Sequence, residues 1–97
     1  MAELDIDALD NVIHGKIRLW IMAYLSEVNP AGYLELLEKS GATNGNLATH
    51  LRKLEAAGYV IQTKSFKGRR PYTEIALTQT GREAWIGYLK ALKALIG

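Results

Sequence analysis

Between Leu34 and Thr78 the apolar spacing of the chain changes twice, and glycine stands at each change. Leu36 and Leu37 lie in a segment that ends at Ser40-Gly41. Leu47, Leu51 and Leu54 then recur at helical intervals up to Gly58, and beyond it Tyr59/Ile61 and Ile75/Leu77 alternate in period two. Helical and strand periods cannot be exchanged without turning apolar side chains into water, so the order helix, turn, helix, strand, strand is fixed before any other residue is considered. The spacing predicts a helix over Leu34–Ser40 and a second from an N-cap at Thr43 through Ala57. Two strands follow at Tyr59–Phe66 and Tyr72–Thr78, joined by the loop Lys67-Gly68-Arg69-Arg70-Pro71.

The flanks read as helix. Residues 5–26 carry Ile13, Ile17, Trp20, Ile21 and Tyr24 on a core face, with a break at His14-Gly15, so that the main helix starts near Lys16. Asn29-Pro30 ends it, because proline disfavours helical geometry in the residue before it, and a short extended piece follows at Ala31–Tyr33. From Gln79 to the C-terminus, Ala84, Trp85, Tyr88, Leu89, Leu92, Leu95 and Ile96 cover an arc of roughly 160° at about 100° per residue, wide for a helix packed on one side. The 97 residues suit one domain spanning 1–97. A chain of this size buries only about 65% of its unfolded surface, so a lone core is too small to cover every apolar face. Val12, Leu19, Met22 and Ala23 on the first long helix, and Trp85, Tyr88, Leu89, Leu92, Leu95 and Ile96 on the last, are therefore expected to meet a second copy of the chain. The fold class that results is α+β, mostly α: a helix-turn-helix followed by a two-stranded wing and a C-terminal dimerisation helix.

Composition excludes several classes of function. With 48% hydrophobic and 23% charged residues the chain is globular rather than disordered, and with no cysteine it has neither disulfides nor thiolate metal sites. The longest apolar run, Leu19 to Leu25, is far short of the roughly 20 residues that span a bilayer. The acidic start (Glu3, Asp5, Asp7, Asp10) is unlike a secretory signal, which together with the absent cysteines places the protein in the cytoplasm. His14 and His50 have no third ligand at a metal-binding spacing, and His50, beside the leucine face of its helix, is expected as a packed, hydrogen-bonded residue rather than a base contact. There is no glycine-rich phosphate loop and no nucleophile–histidine–acid set, so neither catalysis nor a cofactor is expected. The net charge of +2 is unevenly spread: Thr43 to Arg70 carries a local +5, through Arg52, Lys53, Lys64, Lys67, Arg69 and Arg70 against Glu55, whereas the remainder carries −3. A patch of this kind favours a polyanion.

Three segments, GNLATHLRKLEAAGYV, KSFKGRRPYTEIALT and TGREAW, occur in this order and closely resemble the small winged helix-turn-helix DNA-binding proteins of the MarR/ArsR superfamily of transcription regulators. The resemblance runs from about Leu9 to Ala91. It implies that the helix matching Thr43 to Ala57 enters the major groove, that the hairpin loop meets the flanking minor groove or phosphates, and that the outer helices build a homodimer. Helical geometry agrees at particular positions. With the leucines inward, Gly45, Thr49, Arg52 and Ala56 face out, flanked by Asn46, Ala48 and Lys53. Asparagine, arginine and threonine read base edges, and Thr43 and Asn44 in the first turn can add phosphate contacts or serve only to start the helix. The expected duplex contacts are thus Thr43, Asn44, Gly45, Asn46, Thr49, Arg52 and Lys53, with Lys64, Lys67, Arg69 and Arg70 from the wing. Leu34 departs from the family pattern, standing where a Ser, Thr or Asp usually caps the first helix of the pair. No effector ligand is identifiable. The rival reading is a winged helix that binds protein, which would present apolar anchors rather than Asn, Thr, Arg and Lys on the outer face of that helix.

Overall fold

The structure, a computed structural model, describes residues 5–97; Glu3 of the acidic start lies outside the described residues. After a 3-10 turn at Ile6–Ala8 come α1 (Lys16–Glu27), β1 (Ala31–Gly32), α2 (Tyr33–Ser40), α3 (Asn44–Ala56), β2 (Val60–Lys67), β3 (Arg70–Leu77) and α4 (Gln79–Ile96). The helix-turn-helix with a wing is present. It sits on an antiparallel sheet of three strands in the order β1-β3-β2 rather than on a lone hairpin. The added strand is the extended piece before α2: Ala31 pairs with Ile75 and Gly32 with Glu74. The expected helical lead-in from residue 5 is instead the short 3-10 turn and an irregular stretch, held by Asp10, whose carboxylate accepts from the Val12 and Ile13 amides at 2.7 and 3.2 Å.

One core unites the elements: Ile13, Ile21, Met22, Leu25, Leu36, Leu47, Leu51, Leu54, Val60, Ile75, Leu77 and Tyr88 are all buried. The orientation of α1 differs from the expected one. Its buried stripe runs through Ile21, Met22 and Leu25, so Met22 faces the protomer's own interior and not a partner. Trp20 and Tyr24 move to the flank, where their rings stack at 4.9 Å. Tyr88 is likewise internal, its hydroxyl 2.8 Å from His14 Nδ1 and its ring stacked on Trp85. Met22 and Tyr88 are therefore corrected from interface to core. Val12, Leu19, Trp85, Leu92 and Leu95 are half-buried against the core, while Leu89 and Ile96 remain open, at 44% and 77% exposure. Ile86, not singled out in the sequence, is also exposed.

The local signals for α3 and α4 are their caps. Thr43 Oγ1 accepts from the Asn46 amide at 3.2 Å, and Thr78 Oγ1 accepts from the Gly81 amide at 2.9 Å. Gly41, with φ of 70°, closes α2. The cap of α2 is Gly32 and not Leu34, because the helix begins at Tyr33; Leu34 lies in the first turn with its side chain 75% exposed.

Candidate nucleic-acid interface

The wing is longer and its turn tighter than the sequence suggests. Instead of a five-residue loop, the strands continue to a Lys67–Arg70 pair and are joined by Gly68 and Arg69 alone. Gly68 takes φ of 65° and Arg69 keeps a negative φ, the pattern of a two-residue turn with glycine first. Pro71 is tolerated inside β3 because Lys67–Arg70 is the hydrogen-bonded pair next to the turn. The backbone nitrogen of Pro71 then points away from β2, on the side β1 does not reach.

Register sorts the wing side chains onto two faces. Val60–Leu77, Gln62–Ile75, Lys64–Thr73 and Phe66–Pro71 are cross-strand pairs on the face that begins in the core. Lys67, Arg70, Tyr72 and Glu74 lie on the other face, with Lys67 Nζ 4.1 Å above the Tyr72 ring. Of the four expected wing cations, Lys64 alone thus faces α3, Lys67 and Arg70 face away, and Arg69 occupies the turn.

Between α3 and the core-side face of the wing runs an open cleft of about 690 Å³, lined by Tyr33, Asn44, Ala48, Arg52, Glu55, Gln62, Lys64 and Thr73. The expected contacts Asn44, Arg52 and Lys64 come together here. Gly45 and Thr49 lie on the outer ridge beside the cleft, and Arg52 Nη2 donates to Thr49 Oγ1 at 3.2 Å, so the two side chains most able to read bases are already paired. Asn46 and Lys53 lie on the far flank of α3, away from the wing, and Thr43 is exposed at the cap. Sequence reasoning missed Tyr33, Glu55, Gln62 and Thr73. The Tyr33 hydroxyl donates to Asn44, side chain and carbonyl, and so fixes the first residue of α3. The Glu55 carboxylate accepts from the Gln62 amide at 3.0 Å and from Gln62 Nε2 at 3.3 Å, which spends the one acid of the region on bracing helix to wing.

The far flank has its own polar centre. Arg18 donates to the Val12 carbonyl and, at 2.9 Å, to His50 Nδ1. A guanidinium can only donate, so Nδ1 accepts and the neutral imidazole carries its proton on Nε2. Burial, then the charges of Arg18 and Lys53, hold His50 below its ordinary pKa of 6.5. The unfolded chain therefore binds the proton more tightly. The stability His50 confers is complete above pH 6.5 and is lost as pH falls from there through the depressed folded value. Thermal unfolding across that range should show the loss in the wild type and a shallower one in His50→Gln; equal slopes would refute it. Next to this centre the Tyr59 hydroxyl donates to the carboxylate of Asp10, which also accepts from the Val12 amide, and burial followed by that carboxylate pushes the phenol up to about 12, so it stays a donor at any working pH.

Among the described residues no group of three or more His, Cys, Asp or Glu side chains converges on a metal position, and no helix is long and apolar enough to cross a membrane. A helix-turn-helix whose second helix borders a cationic cleft closed by a β-hairpin defines a winged-helix module for nucleic acid. The chain belongs to the winged helix DNA-binding domain family, whose model matches residues 17–96. It is 36% identical over 78 residues to an uncharacterized protein of Methanocaldococcus jannaschii, covering 80% of this chain and 85% of that one. A solved transcriptional regulator homologue from Pyrococcus horikoshii superposes with a TM-score of 0.84 at 32% identity, covering 90% of this chain and 86% of that one. A MarR-like transcriptional regulator from Thermotoga maritima shares the fold at 22% identity, with a TM-score of 0.62 over 99% of this chain and 64% of that one. Fold and family are those of transcription regulators and not of enzymes.

Proposed function

We propose that the chain is a cytoplasmic transcription regulator that binds a specific duplex DNA sequence as a homodimer, each protomer acting as a single domain. The observation that carries the reading is the cleft between α3 and the wing: it presents Arg52 and Lys64, and its only acid is tied to Gln62. A sugar-phosphate strand fits between such walls when α3 lies in the major groove and the hairpin reaches past that strand. Asn46, Thr49 and Arg52 read base edges. Gly45 lets the helix backbone approach closely, Thr43 and Asn44 meet phosphate at the helix start, and Lys53, Lys64, Lys67, Arg69 and Arg70 supply charge. The outer face of α3 carries Gly45, Thr49, Arg52 and Ala56, with no large apolar anchor of the kind a protein-binding surface would present.

The homodimer rests on α4. Trp85, Leu89, Leu92 and Ile96 fall at intervals of four, three and four residues on one stripe, the spacing of a helix seam, with Leu95 beside it and Val12 and Leu19 as half-buried neighbours. Selection from random duplexes should therefore recover a two-fold symmetric site with half-sites about one helical turn apart. Sedimentation should show the dimer mass. A monomer that still selected a single half-site would remove the dimer, and an equal preference for single strands would remove the function.

A further inference from the structure

The DNA reading leaves Phe66 without a task. It is the chain's only phenylalanine, it stands near the tip of a hairpin, and it is 71% exposed, so the fold gains little from it. Its place in the register is informative. Phe66 and its cross-strand partner Pro71 lie on the same face as Lys64 and Thr73, the wing residues that line the cleft to α3, and two positions farther out. Two residues of strand are roughly 7 Å. A strand of DNA backbone held in the cleft against Lys64 therefore leaves the Phe66 ring just beyond it, over the adjoining minor groove. Lys64 shares the face of the pair and Arg69 stands in the adjacent turn, Lys67 and Arg70 flank the same hairpin end from the other face, and the sole acid of the hairpin, Glu74, lies on that other face farther from the turn. An apolar pair at a cationic hairpin end suits a polyanion with an apolar interior. Stacked bases between two phosphate walls are such a surface, whereas an apolar protein patch would leave four charges unmatched.

We propose that Phe66, backed by Pro71, is a wedge that enters the minor groove flanking the α3 site and partly unstacks one base step there. The inference rests on the duplex-binding reading and adds a source of specificity to it. Opening a step by an apolar side chain kinks the duplex, and the work depends on the step: TA and CA/TG steps yield most easily. The protein thus selects a flexible step at a fixed distance from the bases that α3 reads, without a hydrogen bond to it. Pro71 has no N–H and a fixed φ, so it forms a rigid apolar support opposite the ring.

The test uses the duplex recovered by selection, with 2-aminopurine placed at successive flank positions and a donor–acceptor dye pair at the ends. Wild-type protein should raise the 2-aminopurine fluorescence at one step on each flank and shorten the end-to-end distance. The recovered flanks should carry TA or CA/TG at that step. Phe66→Ala should lose the fluorescence rise, the shortening and the step preference while keeping the wild-type salt dependence, because no charge is removed; its exposure means that the circular dichroism spectrum stays unchanged. The wedge is overturned if the wild type raises no flank signal, if Phe66→Ala retains signal and bend, or if Phe66→Ala flattens the salt dependence as loss of the arginines does. In each of those cases the wild type still binds the duplex. A wild type that prefers no duplex overturns the DNA reading itself, and the wedge with it.

Discussion

Gly81→Ala should lower the stability of the protein by roughly 2–3 kcal/mol, although alanine is favoured over glycine in a helix by about 1 kcal/mol. The sign is set by packing. Gly81 is in the first turn of α4, its amide donates to the Thr78 cap, and the helix rests there on the end of the α3–β2 connection. A Cβ at Gly81 would overlap the Tyr59 carbonyl oxygen and lie 2.9 Å from Leu77 Cδ1. That carbonyl cannot swing aside, since it accepts from the Thr78 amide at 3.0 Å and from Thr78 Oγ1 at 3.1 Å. The helix start must move instead, and with it the cap and the packing of α4 on α1. Gly87, six residues along the same helix, is the internal control: nothing lies within 4 Å of its built Cβ, so Gly87→Ala should stabilise by up to about 1 kcal/mol. Urea unfolding at one protein concentration measures both; a Gly81→Ala midpoint at or above the wild type's would refute the packing account.

Which parts of this molecule were legible in its sequence follows from how many arrangements each segment allowed. In α3 the only large apolar residues are three leucines bounded by a capping threonine and a glycine, so one rotation of the helix satisfies them, and the outer ridge of Gly45, Thr49 and Arg52 follows. In α1 the unbroken run from Leu19 to Leu25 puts an apolar residue at every angle, and the rotation is decided by what packs on it. Choosing Ile17, Trp20 and Tyr24 as the inner face left out Leu25 and turned Met22 outward. Proline is ordinarily a loop residue, so the sequence suggests a longer wing turn than the two residues present; its place in β3 depends on hydrogen-bond parity, which needs the register. A two-residue strand such as β1 has no period to detect. The braces of the candidate site, Tyr33 on Asn44 and Glu55 on Gln62, join residues whose distance in sequence carries no pattern. Arg18 on His50 is the same case, although the position of His50 beside the leucines already implied a partner.

Replacing Arg69 and Arg70 by alanine should weaken binding to every duplex and reduce its salt dependence, and this is the largest effect on DNA affinity we expect. A homodimer loses four charges. If each neutralises one phosphate, the log-log salt slope falls by about 3 to 4 units, at roughly 0.9 per contact, and affinity at low salt drops by orders of magnitude. The geometry makes the pair a clean test, because both are exposed at the hairpin end and neither supports the fold. Lys67 is the less suitable choice, since its ammonium sits over the Tyr72 ring and its removal also disturbs the wing. Alanine at Asn46, Thr49 or Arg52 should act differently, costing about 1–3 kcal/mol per half-site against the selected sequence and little against random DNA, because base contacts specify where phosphate contacts only position. Thr49→Ala has a second consequence. It removes the acceptor that holds Arg52 in place, so Thr49→Ala and Arg52→Ala together should cost less than the sum of the two alone. Titrating each variant against selected and random duplexes over a range of salt separates the outcomes. An unchanged slope in the wing variant would take Arg69 and Arg70 off the DNA. Equal losses on both duplexes in the helix variants would take α3 out of base readout and leave it a phosphate contact.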